Sequence, residues 1–204
     1  MGHMRVRYTL LSLVIVAVCG LTTAFAQDKG ASQQEMQARM MELAQPGPEH
    51  ELFEKLTGKW NMTVKMYMAP GQEPMVFTGS SEAETILDGR FLQSKWVSGE
   101  GPMETRGVSI MGYDRRHEEY TAIGLDTWGT YFVTAQGPMD EETNTITMAG
   151  SDQDPVFNML QEYEFVMTLV DDDTFTWDVI FYNPEMTQGQ DSFTIVEITY
   201  ERAK

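Results

Sequence analysis

Strict alternation of apolar and polar residues begins at Trp60 and sets the pattern of the rest of the chain. Apolar side chains occupy every second position over residues 60–68, and mostly polar ones lie between them. A period of two is typical of a strand with one buried face. Residues 49–56 instead carry Leu52, Phe53 and Leu56 on one side at helical spacing. We therefore expect a short helix that plugs one end of the sheet structure that follows.

Ten segments after Gly58 have the pattern of strands, and turn signals such as Asp88-Gly89 and Asn183-Pro184 separate them. Only residues 150–159 form a longer irregular connection, which we expect to be a flap or a mouth loop. Strands joined in sequence predict an antiparallel meander, and closure into a barrel removes its exposed edges. The predicted fold class is thus an all-β, ten-stranded barrel. Its strands are expected at 59–68, 74–86, 90–98, 105–113, 118–126, 129–136, 143–149, 160–170, 174–182 and 191–201.

Residues 1–26 have the features of a secretory signal peptide. Arg5 and Arg7 precede the uncharged run 8–26, which ends in Ala24-Phe-Ala26. A transmembrane anchor is the alternative, because the run is about long enough to span a bilayer. We expect cleavage after Ala26, a periplasmic or secreted location, and no stable membrane insertion afterwards.

A short helical arm is predicted between the signal peptide and the barrel. Ser32 and Glu35 have the spacing of a capping box, and Met36, Met40 and Leu43 recur at helical intervals. We expect a helix over about 33–44, serving as a loosely docked arm or as a membrane-contacting or partner-binding segment. The predicted domains are a signal peptide at 1–26, an arm and linker at 27–49 and a barrel at 50–204.

The charge balance argues against two classes of partner. The chain has 31 Asp and Glu against 14 Lys and Arg, a net charge of −17. Nucleic acids and anionic membrane surfaces both need a positive patch, so neither is expected to bind. The single cysteine, Cys19, lies in the predicted signal peptide. A mature chain without cysteine has no disulfide, so its hydrophobic core must stabilise the fold.

An ordered set of short motifs resembles a family of exported bacterial proteins described only as a domain of unknown function. The resemblance covers residues 47–204 and implies a lipocalin-like, calycin-type β-barrel without an assigned activity. By similarity to lipocalins, it also implies that Trp60 packs against Arg202 at the closed end of the barrel. The motifs are Gly47-Pro-Glu-His50, Leu56-x-Gly58-x-Trp60, Met68-Ala-Pro-Gly71, Leu87-x-Gly89-Arg-Phe-Leu92, Gly112-Tyr-Asp114, Asp126 and Val196-Glu-Ile-Thr-Tyr-Glu-Arg202.

The sequence contains few residues that could bind a cofactor or a metal ion. The nitrobindin-like haem barrels related to this fold need an axial ligand on the wall, whereas here only His50 is expected to approach a barrel end. No His and Cys cluster has the spacing of a zinc site, and the acidic turns at 152–154 and 171–173 lack the pattern of a calcium loop. We predict no cofactor, no metal and no catalytic residue.

The leading functional hypothesis is binding of a small apolar or amphipathic ligand without catalysis. Methionine adapts to irregular apolar ligands and is abundant in this chain. One alternative is an envelope protein with a filled barrel that serves a structural or partner-binding role. The other is an enzyme that uses a carboxylate of the barrel. Its first candidate is Asp126, and the others are Glu82, Glu84 and Asp178. The predicted ligand-binding residues are Trp96, Trp128, Phe132, Trp177 and Phe181.

Overall fold

The computed structural model describes residues 32–154 and 158–204. Its helices are α1 (Gln33–Leu43), α2 (Glu51–Leu56) and α3 (Pro184–Thr187). Its strands are β1 (Gly58–Met66), β2 (Met75–Ile86), β3 (Phe91–Ser98), β4 (Thr105–Asp114), β5 (Glu119–Asp126), β6 (Phe132–Gly137), β7 (Met139–Asp140), β8 (Thr145–Asp154), β9 (Met159–Asp171), β10 (Thr174–Phe181) and β11 (Phe193–Arg202).

The strands form one closed antiparallel sheet. From β1 to β6 and from β7 to β11 each strand pairs with the next along the chain, and β1 also pairs with β11. The sheet closes where β6 meets β8 at the pair Gln136–Ala149. Tyr163 on β9 strengthens this seam by donating its hydroxyl to the carbonyl of Thr134 on β6 at 3.0 Å. The predicted antiparallel ten-stranded barrel is confirmed, with the two-residue β7 as an addition.

One predicted loop is wrong in its first half. Residues 150–159 were expected to be irregular, but β8 continues to Asp154 and pairs with the start of β9, as in the pair Asp154–Met159. Polar residues fill both faces of this stretch, so alternation gives no signal, whereas backbone hydrogen bonding to β9 still defines a strand. Residues 155–157 of the predicted mouth loop lie outside the described residues, as does the whole predicted signal peptide.

The chain divides into two compact units, the first ending at Ala44 and the second running from Gln45 to Lys204. Within the first unit, α1 begins at the predicted capping box: Glu35 N donates to Ser32 Oγ at 3.3 Å, and Ser32 N donates to a Glu35 carboxylate oxygen at 2.7 Å. The predicted helix is confirmed to within one residue. Among the described residues, no helix is long and apolar enough to cross a membrane.

Every second residue of each long strand faces the barrel interior. On β10 the inward row is Phe175, Trp177, Val179 and Phe181, and its partners on β9 are Leu169, Met167, Phe165 and Tyr163. Ile146 and Met148 on β8 continue this face and are fully buried. These rows agree with the alternation in the sequence. They place most aromatic side chains of the interior on the β9–β11 side.

The Gly58-Lys-Trp60 segment anchors the first strand to the last. Trp60 is 3% exposed, its indole nitrogen donates to the carbonyl of Leu56 at 2.9 Å, and the guanidinium of Arg202 lies 4.2 Å from its ring centroid. Arg202 also donates to the carbonyls of Lys55 at 2.8 Å and Thr57 at 3.1 Å. The predicted Trp60–Arg202 pair is therefore present, and it connects α2, β1 and β11.

Gly58 is needed for this arrangement. Its φ of +124° lies in a region that residues with a side chain rarely adopt, and a Cβ there would lie 3.2 Å from a guanidinium nitrogen of Arg202. A glycine at this position therefore lets the backbone turn from α2 into β1 directly beneath the arginine.

Replacing Trp60 by alanine is expected to lower the free energy of unfolding by about 3–5 kcal/mol, because it removes a buried aromatic side chain and the surface on which Arg202 rests. Urea unfolding followed by circular dichroism measures the change. Lys59→Ala is the matched control, since Lys59 is exposed and its ion pair with Glu82 is 4.0 Å long. Equal stability of the Trp60→Ala variant and the wild type would contradict the anchoring role.

Candidate functional site

Helix α2 closes one end of the barrel. Its apolar residues Leu52, Phe53 and Leu56 are buried, as the helical spacing predicts, and Phe53 is fully so. Phe53 meets Tyr120 of β5 edge to face, with 6.3 Å between ring centroids. The Tyr120 hydroxyl donates to the carbonyl of Glu49 at 3.3 Å. The plug, defined as residues 48–56, therefore both fills the barrel end and bonds to its wall.

His50 lies within the plug as a neutral, buried imidazole. It is 8% exposed, and its Nδ1 accepts a hydrogen bond from the backbone N–H of Gly47 at 3.0 Å. Its ring meets Phe53 and Tyr113 edge to face at 5.5 and 6.0 Å. Burial lowers the pKa of His50 below its ordinary value, and repulsion from Arg115 adds to this effect, whereas the carboxylate of Glu49 opposes it. The arrangement is that of a structural histidine.

A cavity of about 60 Å³ lies inside the barrel directly beyond the plug. Leu56 of α2 and Trp60 of β1 form its floor. Its wall differs from one side to the other. Serines and alanines line it on β2 to β5 together with Leu92, Ile110 and Met111, whereas Met167 and three aromatic residues line it on β9 to β11.

The small side of the cavity carries three serine hydroxyls. Ser94 on β3 and Ser109 on β4 are direct cross-strand partners, and Ser81 lies on the adjacent strand β2, two residues before the partner of Ser94. Ser81 is only 6% exposed. Within the described ranges, none of the three hydroxyls makes a hydrogen bond, and all three line the cavity.

The large side of the cavity is aromatic. Phe175 and Tyr200 stack almost in parallel, with ring centroids 4.2 Å apart, and Phe175 meets Trp60 edge to face at 4.8 Å. Trp177 lies beside Phe165 at 5.6 Å. Burial raises the pKa of Tyr200 well above its ordinary value, so its phenol stays protonated. A neutral phenol both donates and accepts hydrogen bonds.

Three of the predicted ligand-binding residues face the interior. Trp177 lines the cavity itself, and Phe181 lies on the same inward row nearer the opposite end of the barrel. Trp96 on β3 also faces inward and lies across its cross-strand partner, Gly107. A Cβ at Gly107 would collide with the Trp96 indole, so the glycine lets the ring lie flat against β4.

The other two predicted residues do not line the cavity, which corrects the prediction. Strand β6 begins at Phe132 rather than at residue 129, and Val133 and Ala135 occupy its inward positions, so Phe132 faces outward and is 61% exposed. Trp128 lies in the turn before β6, is 62% exposed, and donates its indole N–H to Thr105 Oγ1. Adjacent apolar residues at 132 and 133 leave the parity of this strand ambiguous in the sequence.

The candidate carboxylates of the enzyme hypothesis lie away from the cavity. Asp126 is exposed at the end of β5, where it accepts the backbone N–H of Trp128 at 2.8 Å. Glu82 and Glu84 are exposed on the outer face of β2. Asp178 also faces outward, and its pKa is raised by burial and by the charge of its cross-strand partner Glu197.

Sequence reasoning missed the serines and Tyr200. Serine in a strand is usually read as a solvated position, and the segment around Ser94 has mixed residues on both faces. Only the register of β2, β3 and β4 brings the three hydroxyls to one wall.

The sequence of this chain matches the model of a known protein family. A family model described as protein of unknown function, DUF1579, matches residues 45–202. The chain belongs to this family. Among solved structures, this DUF1579 protein is similar to Rv2717c from M. tuberculosis, with a TM-score of 0.53 and 11% identity over 78% of this chain and 100% of that one. That similarity concerns the fold alone.

A redesigned β-barrel is also similar, with a TM-score of 0.38 and 10% identity over 74% of this chain and 95% of that one. No curated protein matches the sequence.

The buried imidazole of His50 makes the stability of the DUF1579 barrel depend on pH. Its pKa is lowered in the folded state, so below the ordinary value of 6.5 the unfolded chain binds a proton that the folded chain does not. Stability is therefore complete above pH 6.5 and falls as the pH drops below it. We expect the melting temperature to be lower at about pH 5.5 than at about pH 7.5.

His50→Gln removes the titrating group and is expected to show a shallower decrease over the same range. Differential scanning calorimetry of both proteins at several pH values measures the two slopes. Parallel slopes for the variant and the wild type would show that His50 does not cause the pH dependence.

Proposed function

We propose that this DUF1579 protein is exported and binds a small amphipathic molecule inside its barrel without transforming it. One observation carries the proposal: the cavity wall has a hydroxyl side and an aromatic side, and a plug closes the end beneath them. Such a division offers hydrogen bonds to one part of a ligand and apolar contact to the rest.

The size of the cavity indicates how a ligand would be placed. An apolar cavity of about 150 Å³ holds one benzene molecule, whereas this cavity measures about 60 Å³. It therefore takes only one end of the ligand. The body would lie along the inner face of β10 from Trp177 to Phe181, a distance of roughly 14 Å at about 3.4 Å per residue. The inward side chains there are half-buried, which leaves apolar surface for contact.

The chemistry of the lining supports binding rather than catalysis. In the part of the chain that the structure describes, the lining consists of serines, alanines, aliphatic and aromatic residues and methionines, without a carboxylate or an imidazole. General acid–base catalysis uses a titratable group within hydrogen-bonding reach of the reacting atoms. The proposal of export follows from the basic and apolar pattern of residues 5–26, and the net charge of −17 suits a soluble carrier or sensor.

Native mass spectrometry of protein purified from the exported fraction tests the proposal. We expect a reproducible adduct of low mass, and we expect Trp177→Ala to remove it. Loss of the indole contact should weaken the affinity for a hydrophobic dye by about tenfold or more, the equivalent of roughly 1.5–3 kcal/mol of apolar burial. Trp177→Phe keeps a ring and should retain part of the affinity.

Phe132→Ala is the matched control, because Phe132 is a large aromatic residue on the outer face of the wall. It should leave the adduct and the dye affinity unchanged. Protein that carries no adduct and also fails to bind a panel of lipids and dyes would overturn the proposal and favour an envelope protein with a filled barrel.

A further inference from the structure

We propose that Ser81, Ser94 and Ser109 form a recognition subsite for an uncharged hydrogen-bonding head group, such as the hydroxyl of an alcohol or the amide of a fatty amide. The inference rests on the proposed function and specifies which end of the ligand enters the cavity. A hydroxyl both donates and accepts one or more hydrogen bonds, so three together suit a head group that does the same.

The register of three adjacent strands places the hydroxyls together. Ser94 and Ser109 are directly opposite each other, and such partners have Cβ atoms about 4.5–5.5 Å apart. Ser81 is the diagonal neighbour of Ser94 on the next strand. All three alternate with outward residues and line the same 60 Å³ cavity. Tyr200 lines it from β11 and offers a fourth hydroxyl.

These hydroxyls have no partner within the part of the chain that the structure describes. Ser81 is 6% exposed, and Ser94, Ser109 and Tyr200 are half-buried, so the access of bulk water to these hydroxyls is restricted. Leaving a buried hydroxyl such as that of Ser81 unbonded is unfavourable, so such groups usually have a hydrogen-bond partner. A ligand head group that enters the cavity would be that partner.

The surroundings specify that this head group is uncharged. None of the described residues that line the cavity is charged. The guanidinium of Arg202 lies over the ring of Trp60 on the floor, but it already pairs with Asp173 and donates to the carbonyls of Lys55 and Thr57. An ion placed among the serines would lose its hydration without gaining a counter-ion.

Isothermal titration calorimetry with three probes of equal chain length tests the inference: octan-1-ol, octanoate and octylammonium. We expect the wild type at neutral pH to bind octan-1-ol at least about tenfold more tightly than either ion. The triple variant Ser81→Ala/Ser94→Ala/Ser109→Ala should lose about tenfold in affinity for octan-1-ol and change little toward the ions. Ser80→Ala, on the outer face of the same strand as Ser81, is the matched control.

The melting temperature of the triple variant gives a second, independent readout. Unpartnered hydroxyls contribute no stabilising bond, so their removal should leave the melting temperature unchanged or raise it. A marked decrease would indicate that the serines stabilise the wall through bonds of their own, and it would overturn the subsite.

The outcomes separate this inference from the proposed function. Equal affinity of the wild type and the triple variant for octan-1-ol overturns the serine subsite alone, because the barrel then binds through its apolar wall. Tighter binding of octanoate than of octan-1-ol also overturns it. Failure of every probe and every dye to bind the wild type overturns the proposed function, and the inference with it.

Discussion

The contact between Trp60 and Arg202 is the interaction on which the rest of the barrel depends. The last strand must return to the first for the sheet to close, and the guanidinium over the indole joins them where the plug also ends. Arg202 donates to the carbonyls of Lys55 in α2 and of Thr57 directly after it, and Trp60 donates to the carbonyl of Leu56. One pair of side chains therefore holds the first strand, the last strand and the plug in a fixed relation.

The unequal sizes of the inward residues explain why the cavity lies where it does. On the β2–β5 side the wall consists of serine, alanine and glycine at several inward positions, whereas Trp177, Phe175 and Tyr200 occupy the opposite side. A barrel of this size is filled when large residues meet from both sides. Here aromatic residues on one side face serines and alanines as well as Leu92 and Met111 on the other, and the plug fills only the end. The gap that remains is next to small residues, the alanines and serines of β2 to β5.

The alternation of apolar and polar residues predicts the strands and their inward-facing residues well, because a strand with one buried face requires an apolar residue at every second position. Phe175, Trp177, Val179 and Phe181 are apolar at every second position, and their orientation follows directly. The same rule does not orient β6, because Phe132 and Val133 are both apolar. It also gives no signal for residues 150–154, which are mostly polar and form a strand because they pair with β9. The serine wall was beyond sequence reasoning, because it depends on the register of three strands.

The end closure and the cavity are physically coupled, because Leu56 and Trp60 belong to both. Leu56 is buried in the plug and also forms the floor of the cavity, and its carbonyl receives the indole N–H of Trp60. A molecule seated on this floor would contact the residues that keep the barrel end closed. A ligand that binds only the folded state stabilises it in proportion to the logarithm of its concentration over its Kd. A bound ligand would thus stabilise the plug before other parts of the barrel, and His50 also lies in the plug.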